Sequence, residues 1–132
     1  MKLKGVVPLI LAATCSGPAQ AQPMLWLSCL PENPQSARIC AQLQDVLAAQ
    51  TPALQIVERP SVEAPPATVS VLRLHLDALR EDAISAHLEW HRPGAGWQVG
   101  EGLSMDVMDR ALNDAMVARF LAQLLERTAP EI

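Results

Sequence analysis

Two cysteines in the segment LSCLPENPQSARICAQL constrain the fold of this chain more than any other feature of its sequence. Cys29 lies in residues 24–30, where Leu25, Leu27 and Cys29 alternate with other side chains as on one face of a β-strand. Asn33 and Pro34 then favour a helix start, with asparagine as the N-cap and proline at the first helical position. Helical spacing relates Cys40 to the apolar residues Ile39, Leu43, Val46 and Leu47. The pattern therefore predicts that both sulfur atoms face one strand–helix interface.

The N-terminal segment indicates the cellular compartment in which the two cysteines are located. Lys2 and Lys4 precede a short apolar run over residues 5–13, and the tripeptide Ala19-Gln20-Ala21 follows. A basic start, a short apolar stretch and an A-x-A site are typical of a secretory signal peptide, here cleaved after Ala21. The apolar run is far shorter than the roughly 20 residues that span a bilayer. We therefore expect a secretory signal peptide over residues 1–21.

Two other interpretations of this segment stay open. A lipoprotein signal would make Cys15 the lipidated first residue and would anchor the protein in the envelope. The preceding residues 12–14, Ala-Ala-Thr, are a poor lipobox, which ordinarily has leucine three positions before the cysteine and a small residue directly before it. The second alternative is an N-terminal helix that remains part of the fold. The favoured interpretation leaves residues 22–132 as a single domain of ordinary size.

Export favours a structural disulfide between Cys29 and Cys40. Outside the cytosol, two cysteines in a small domain most often pair with each other. The Cys-x10-Cys spacing fits no common zinc or redox motif, and residues 22–132 contain no third cysteine. In the chain-entropy model, closing a ring of about a dozen residues stabilises a fold by about 3 kcal/mol. A reactive thiol pair and a metal-binding role are the alternatives.

The composition of residues 22–132 excludes several classes of function. These 111 residues contain eight arginines, no lysine and 14 acidic residues, a formal charge of −6. An acidic domain without a basic cluster is a poor partner for nucleic acid or an anionic membrane surface. The absence of lysine also excludes Schiff-base chemistry and phosphate loops built around lysine. We expect neither nucleic-acid binding nor an integral membrane segment in the mature chain.

Strand patterns follow the first helix at residues 54–59, 68–77, 83–91 and 97–103. The proline-rich residues 60–67 form a connector that cannot continue a sheet ladder. We expect Trp90, Trp97, Val99 and Leu103 to point into the core. A final helix is predicted over residues 106–127, with Asp106 as its N-cap and an apolar face of Met108, Leu112, Ala115, Ala118, Leu121 and Leu125.

The order β-α-β-β-β-β-α predicts an α+β fold after the signal peptide: a two-layer sandwich with a mostly antiparallel sheet and both helices on one face. Common catalytic motifs are absent from the sequence. It contains no G-x-S-x-G, G-x-G-x-x-G or Walker motif, and no H-E-x-x-H motif. We therefore expect that the protein is not an enzyme and needs no cofactor.

The motif H-x-E-x-H in residues 87–91 is the one constellation with metal-binding chemistry. His87, Glu89 and His91 leave the same face of the predicted strand, with neighbours roughly 7 Å apart. Two imidazoles and a carboxylate can bind one divalent ion such as zinc, copper or nickel. His75 on the preceding strand is a fourth candidate ligand. Two pairing registers between the strands at residues 68–77 and 83–91 stay open. One places His75 opposite His87 and Arg73 opposite Glu89. The other, shifted by two residues, places Arg73 opposite His87, where its positive charge would repel a cation.

The favoured interpretation of this motif is a solvated polar face, because a one-sided antiparallel sheet needs one. A metal or proton-sensing role and a partner-docking surface are the alternatives. Across the next hairpin, the Pro93-Gly94 turn predicts Gly100 beside His87 and Gln98 beside Glu89.

These observations together predict a small exported accessory domain in the bacterial periplasm, which binds another protein through its sheet face or an edge strand. The first alternative is a metal-binding protein that uses His75, His87, Glu89 and His91. The second is an envelope lipoprotein anchored through Cys15.

Overall fold

The computed structural model describes residues 23–130 and residue 132, and this part of the chain forms six strands and two helices. Their order is β1 (Met24–Leu30), α1 (Pro34–Gln50), β2 (Gln55–Glu58), β3 (Ser70–Arg80), β4 (Ala83–His91), β5 (Trp97–Val99), β6 (Leu103–Asp106) and α2 (Asp114–Thr128). The predicted signal peptide, its cleavage site at Ala21 and the alternative lipidation site at Cys15 lie outside the described residues.

The strands form one mixed sheet in the order β2-β1-β3-β4-β5, and β6 pairs with β4 beside β5. Strand β1 runs parallel to both β2 and β3, whereas β4 runs antiparallel to β3, β5 and β6. Parallel strands of one sheet require crossover connections. Helix α1 connects β1 to β2, and residues 59–69 connect β2 to β3 on the other side of β1. The predicted α+β class is confirmed, and the two parallel pairs make the sheet mixed.

Both helices pack on the same face of the sheet. Strand side chains that alternate along β1, β3 and β4 point toward the helices, and Leu27, Leu72 and Leu88 are fully buried there. From the helix layer, Leu43 and Phe120 complete the same core. Complete burial of each leucine stabilises the fold by about 1.5–3 kcal/mol relative to exposure. No helix among residues 23–130 and 132 is long and apolar enough to cross a membrane.

A disulfide joins β1 to α1, as predicted. Cys29 at the end of β1 is bonded to Cys40 in α1, with 5.8 Å between their Cα atoms. Both cysteines are buried in the core. The predicted helix start is also confirmed, because the Asn33 side chain accepts a hydrogen bond from the Ser36 backbone N–H at 2.8 Å. Local capping and a covalent bond therefore fix the first helix against the sheet.

The last helix begins later than the sequence predicts. Its N-cap is Asn113, whose side chain accepts from the Met116 N–H at 2.9 Å, and the predicted N-cap Asp106 ends strand β6 instead. Residues 83–86 of β4 extend beyond β5, and β6 pairs with this part of β4. Asp109 has a left-handed backbone with φ of 60°, which interrupts a helix, and Met108 is 84% exposed rather than packed.

The register of the β4–β5 hairpin differs from the prediction by one residue. Glu89 pairs with Val99, and Gln98 pairs with Trp90. Trp97 and Val99 therefore lie on the face away from the helices, and the prediction that they point into the core is wrong. Gly100 occupies the core-facing position instead, where an added Cβ would lie only 2.6 Å from the Thr128 side chain. Packing between this strand and the end of α2 thus selects the register.

Substitution of Asn113 by alanine tests the observed helix start. Asn113→Ala removes the side-chain acceptor of the first turn of α2 and is expected to lower the free energy of unfolding by about 1 kcal/mol. The matched variant Asp106→Ala, at the sequence-predicted cap, should change it by less than about 0.5 kcal/mol. Urea denaturation of both variants measures the difference. A larger loss in Asp106→Ala than in Asn113→Ala would contradict the assigned boundary.

Candidate functional site

A connected set of polar and aromatic side chains lies on the sheet face opposite the helices. We call this set the outer row; its members are Arg73, His75 and Asp77 of β3, His87, Glu89 and His91 of β4, and Trp97 of β5. Of the two registers that the sequence leaves open, the structure has the one in which Arg73 pairs with Glu89 and His75 pairs with His87. Each of these four side chains retains between 23% and 29% of its exposure. These four side chains are therefore partly buried, whereas Asp77 and Trp97 are more exposed.

Glu89 is the acceptor at the centre of the outer row. Its Oε1 atom lies 3.0 Å from His75 Nε2 and 3.7 Å from Arg73 Nη1. A carboxylate shared between an arginine and an imidazole neutralises part of the charge that the two strands bring together. Arg73 also donates from Nη2 to the Ser61 carbonyl oxygen at 3.4 Å. This cluster fixes β3, β4 and the connector after β2 to one another.

The two facing histidines are stacked. The ring centroids of His75 and His87 are 4.6 Å apart, and the ring planes differ by 2°. His87 Nδ1 lies 2.8 Å from Asp77 Oδ2, so each ring has its own carboxylate partner. Asp77 is the extra residue at the register shift between Leu76 and Ala78. Asp77 was not among the predicted site residues, although its position two residues after His75 places it on the same strand face.

Trp97 forms the aromatic end of the outer row. The Arg73 guanidinium carbon lies 4.3 Å from the centre of the Trp97 ring, within the range of a cation–π contact. The His91 ring lies 5.1 Å from the same indole at an angle of 43°. Trp97 stays 41% exposed. A partner that approaches this end of the sheet would contact the Trp97 ring, which packs against the Arg73 guanidinium.

The four predicted metal ligands share a face but do not converge on one point. His75 and His87 lie face to face, and His91 turns toward Trp97 instead of toward them. Among residues 23–130 and 132, no group of three histidine, cysteine or acidic side chains is placed to hold a metal ion. Metal binding here would have to break the contacts of His75 with Glu89 and of His87 with Asp77. The metal hypothesis therefore stays a prediction.

The proline-rich connector crosses the rest of the outer face. Ser28 Oγ donates to the Arg59 carbonyl oxygen at 2.7 Å, and the Arg59 guanidinium lies 5.2 Å from the Trp26 ring centre. Trp26, Val69 and Val71 form a second, smaller apolar cluster on this face. With this cluster buried, the outer row is the main polar part of the face.

Comparison with known proteins identifies a fold relative. No protein-family model matches the chain, and no curated protein matches it. Among solved structures, the chain is similar to the PelC dodecamer from Paraburkholderia phytofirmans, with a TM-score of 0.60 and 15% sequence identity. The alignment covers 86% of this chain and 95% of the PelC chain. The two proteins therefore share a fold.

A minor lipoprotein from Acinetobacter baumannii aligns over 80% of this chain and 87% of its own. Its TM-score is 0.40 and its sequence identity is 10%. That score is too low to show a shared fold.

Replacement of the central carboxylate tests the stabilising role of the outer row. Glu89→Gln leaves Arg73 and His75 without their shared anion, and we expect the free energy of unfolding to fall by about 1 kcal/mol after allowance for partial exposure. Glu101→Gln is the matched control, because Glu101 is exposed and has no ion pair among the described residues. Urea denaturation at neutral pH compares the variants. Equal urea midpoints for Glu89→Gln and Glu101→Gln would show that the Glu89 contacts do not stabilise the sheet.

Proposed function

We propose that this protein is an exported accessory protein of a bacterial envelope that catalyses no reaction and acts through contacts with other proteins, including copies of itself. The disulfide between Cys29 and Cys40 is the observation that carries the proposal. A buried disulfide in a small domain is typical of an oxidising compartment outside the cytosol. The basic, apolar and A-x-A pattern of residues 1–21 supports the same compartment.

The outer row supports a binding role for the exposed sheet face. Glu89 and Asp77 each lie within hydrogen-bond distance of a histidine, so their charges already have partners inside the protein. Such a network holds its side chains in fixed positions, which lowers the entropic cost of binding a partner. The half-exposed Trp97 adds an aromatic group of the kind that is enriched at protein interfaces.

The fold relative supports self-assembly. The PelC protein of the solved structure is a dodecamer, and its chain aligns with this one over 95% of its length. We extend assembly to the present protein as part of the proposal. Assemblies larger than a dimer that have simple ring symmetry use two different surfaces of each copy. The sheet has two open edges, which can supply such surfaces.

The mass of the mature protein in solution tests this proposal. Protein exported with its own N-terminal segment and purified from the periplasmic or envelope fraction should give a mass larger than that of a dimer by multi-angle light scattering. A dilution series separates weak from stable assembly. A single monomer mass throughout the series would contradict self-assembly, and recovery of the protein only from the cytosol would contradict export.

A further inference from the structure

Both edges of the sheet present unpaired backbone groups. At the β2 edge, the Gln55 N–H donates to the carbonyl oxygen of Pro23, just before β1, at 2.8 Å. The Arg59 N–H donates to the carbonyl oxygen of Leu27 in β1 at 2.9 Å. Because bonding alternates along a strand, the backbone groups of the intervening Glu58 point away from the sheet.

The β5 edge is open in the same way. The Gly100 N–H donates to the Leu88 carbonyl oxygen at 2.8 Å, and Trp90 pairs with Gln98. The alternation therefore directs the backbone groups of Trp97 and Val99 outward. Unpaired strand edges of this kind are ready surfaces for contact with another chain.

The two open edges lie at the same height in the sheet. One continuous rung of paired residues runs from Glu58 through Leu27, Leu72 and Trp90 to Gln98. The adjacent rung runs from Val57 through Trp26, Val71 and His91 to Trp97. Copies placed side by side therefore bring β5 of one copy level with β2 of the next. If neighbouring copies are not displaced along the strand direction, a head-to-tail contact can close into a ring. A constant displacement from copy to copy would instead favour an open filament.

The chemistry of the two edges is complementary. On the outer side, Trp97 and Val99 are 41% and 65% exposed at the β5 edge, and the apolar Val57 lies on the corresponding side of β2. On the helix side, Glu58 is exposed and has no ion pair within the described part of the chain. Arg127 is likewise exposed and has no ion pair among residues 23–130 and 132. The β2 edge therefore offers a free carboxylate, and the end of α2 beside the β5 edge offers a free guanidinium.

Arg127 lies in a groove that can receive the neighbouring edge. The groove has a volume of about 420 Å³ and lies between the β5–β6 connection and the end of α2. Gly100 and Gly102 contribute no side chains to its floor. Glu101 and Arg127 are the charged residues of its lining, and Arg127 is its one base among the described residues.

We propose that the β2 edge of one copy docks against the β5 edge and this groove of the next copy, with Glu58 of one copy paired to Arg127 of its neighbour. The proposal rests on the self-assembly proposed above and names its contact surface. A second copy is the occupant that uses both edges at once, because the complementary groups belong to the same chain and the two edge strands are level in the sheet. A different protein would engage only one of the two edges.

Charge reversal tests the proposed contact. Glu58→Arg and Arg127→Glu should each raise the concentration needed for assembly at least about tenfold, because like charges then meet at every contact. The double variant Glu58→Arg/Arg127→Glu should assemble as the unchanged protein does. A one-to-one mixture of the two single variants should also assemble, since every contact between unlike copies then joins opposite charges. Sedimentation velocity on the mature protein measures all four cases.

Two matched reversals serve as controls. Glu81→Arg and Arg110→Glu change exposed residues near the β3–β4 turn, away from both edges, and should leave assembly unchanged. Circular dichroism and urea denaturation confirm that each variant is folded. Where a reversal unfolds the protein, Glu58→Gln and Arg127→Gln replace it, and each should weaken assembly by a smaller factor.

The outcomes separate this inference from the proposed function. A monomeric unchanged protein would overturn self-assembly itself. Assembly of the unchanged protein and of both single variants at the same concentration would overturn the edge contact and leave self-assembly standing. Loss of assembly in the single variants without recovery in the double variant or the mixture would overturn the Glu58–Arg127 pairing.

Discussion

Strand β1 is fixed by two neighbouring strands and by a disulfide to the first helix, and the rest of the fold depends on its position. It pairs with β2 and β3 through its backbone, and Cys29 bonds it to α1 across the core. The buried side chains of Leu25 and Leu27 lie on the same face as the sulfur. Because the disulfide restricts the unfolded chain as well as joining two elements, it stabilises the small core beyond what apolar burial supplies. The first helix cannot shift along the sheet without breaking this bond.

The fixed helix layer leaves the opposite sheet face for other roles. The connector after β2 covers part of this face, and the outer row occupies the remainder. Charges in the outer row find partners within the protein, whereas Glu58 and Arg127 at the two sheet edges have no ion pair among the described residues. This difference is one basis of the edge contact proposed above, in which the outer row is a rigid face between the two edges.

Local chemistry explains which parts of the fold the sequence predicts. The Asn33 cap depends on neighbouring residues, and the disulfide prediction depends on the inferred compartment. For β3 and β4 the sequence leaves two registers open, and the structure has the one that pairs Arg73 with Glu89. The errors have long-range causes. The β4–β5 register depends on contact between Gly100 and the end of α2, and Asp106 pairs in a strand because β4 has a free edge there. The stacking of His75 on His87 was likewise not predictable, because residue spacing along the sequence does not define side-chain conformations.

The redox state of the two cysteines in cells tests the central claim most directly. Protein taken from its native host is treated with an alkylating reagent under denaturing conditions, first without and then with a reductant, and is analysed by mass spectrometry. The account predicts that Cys29 and Cys40 are labelled only after reduction, in a chain that begins at Gln22. Labelling of both cysteines without reductant would contradict the disulfide, the exported location and the proposed function that rests on them.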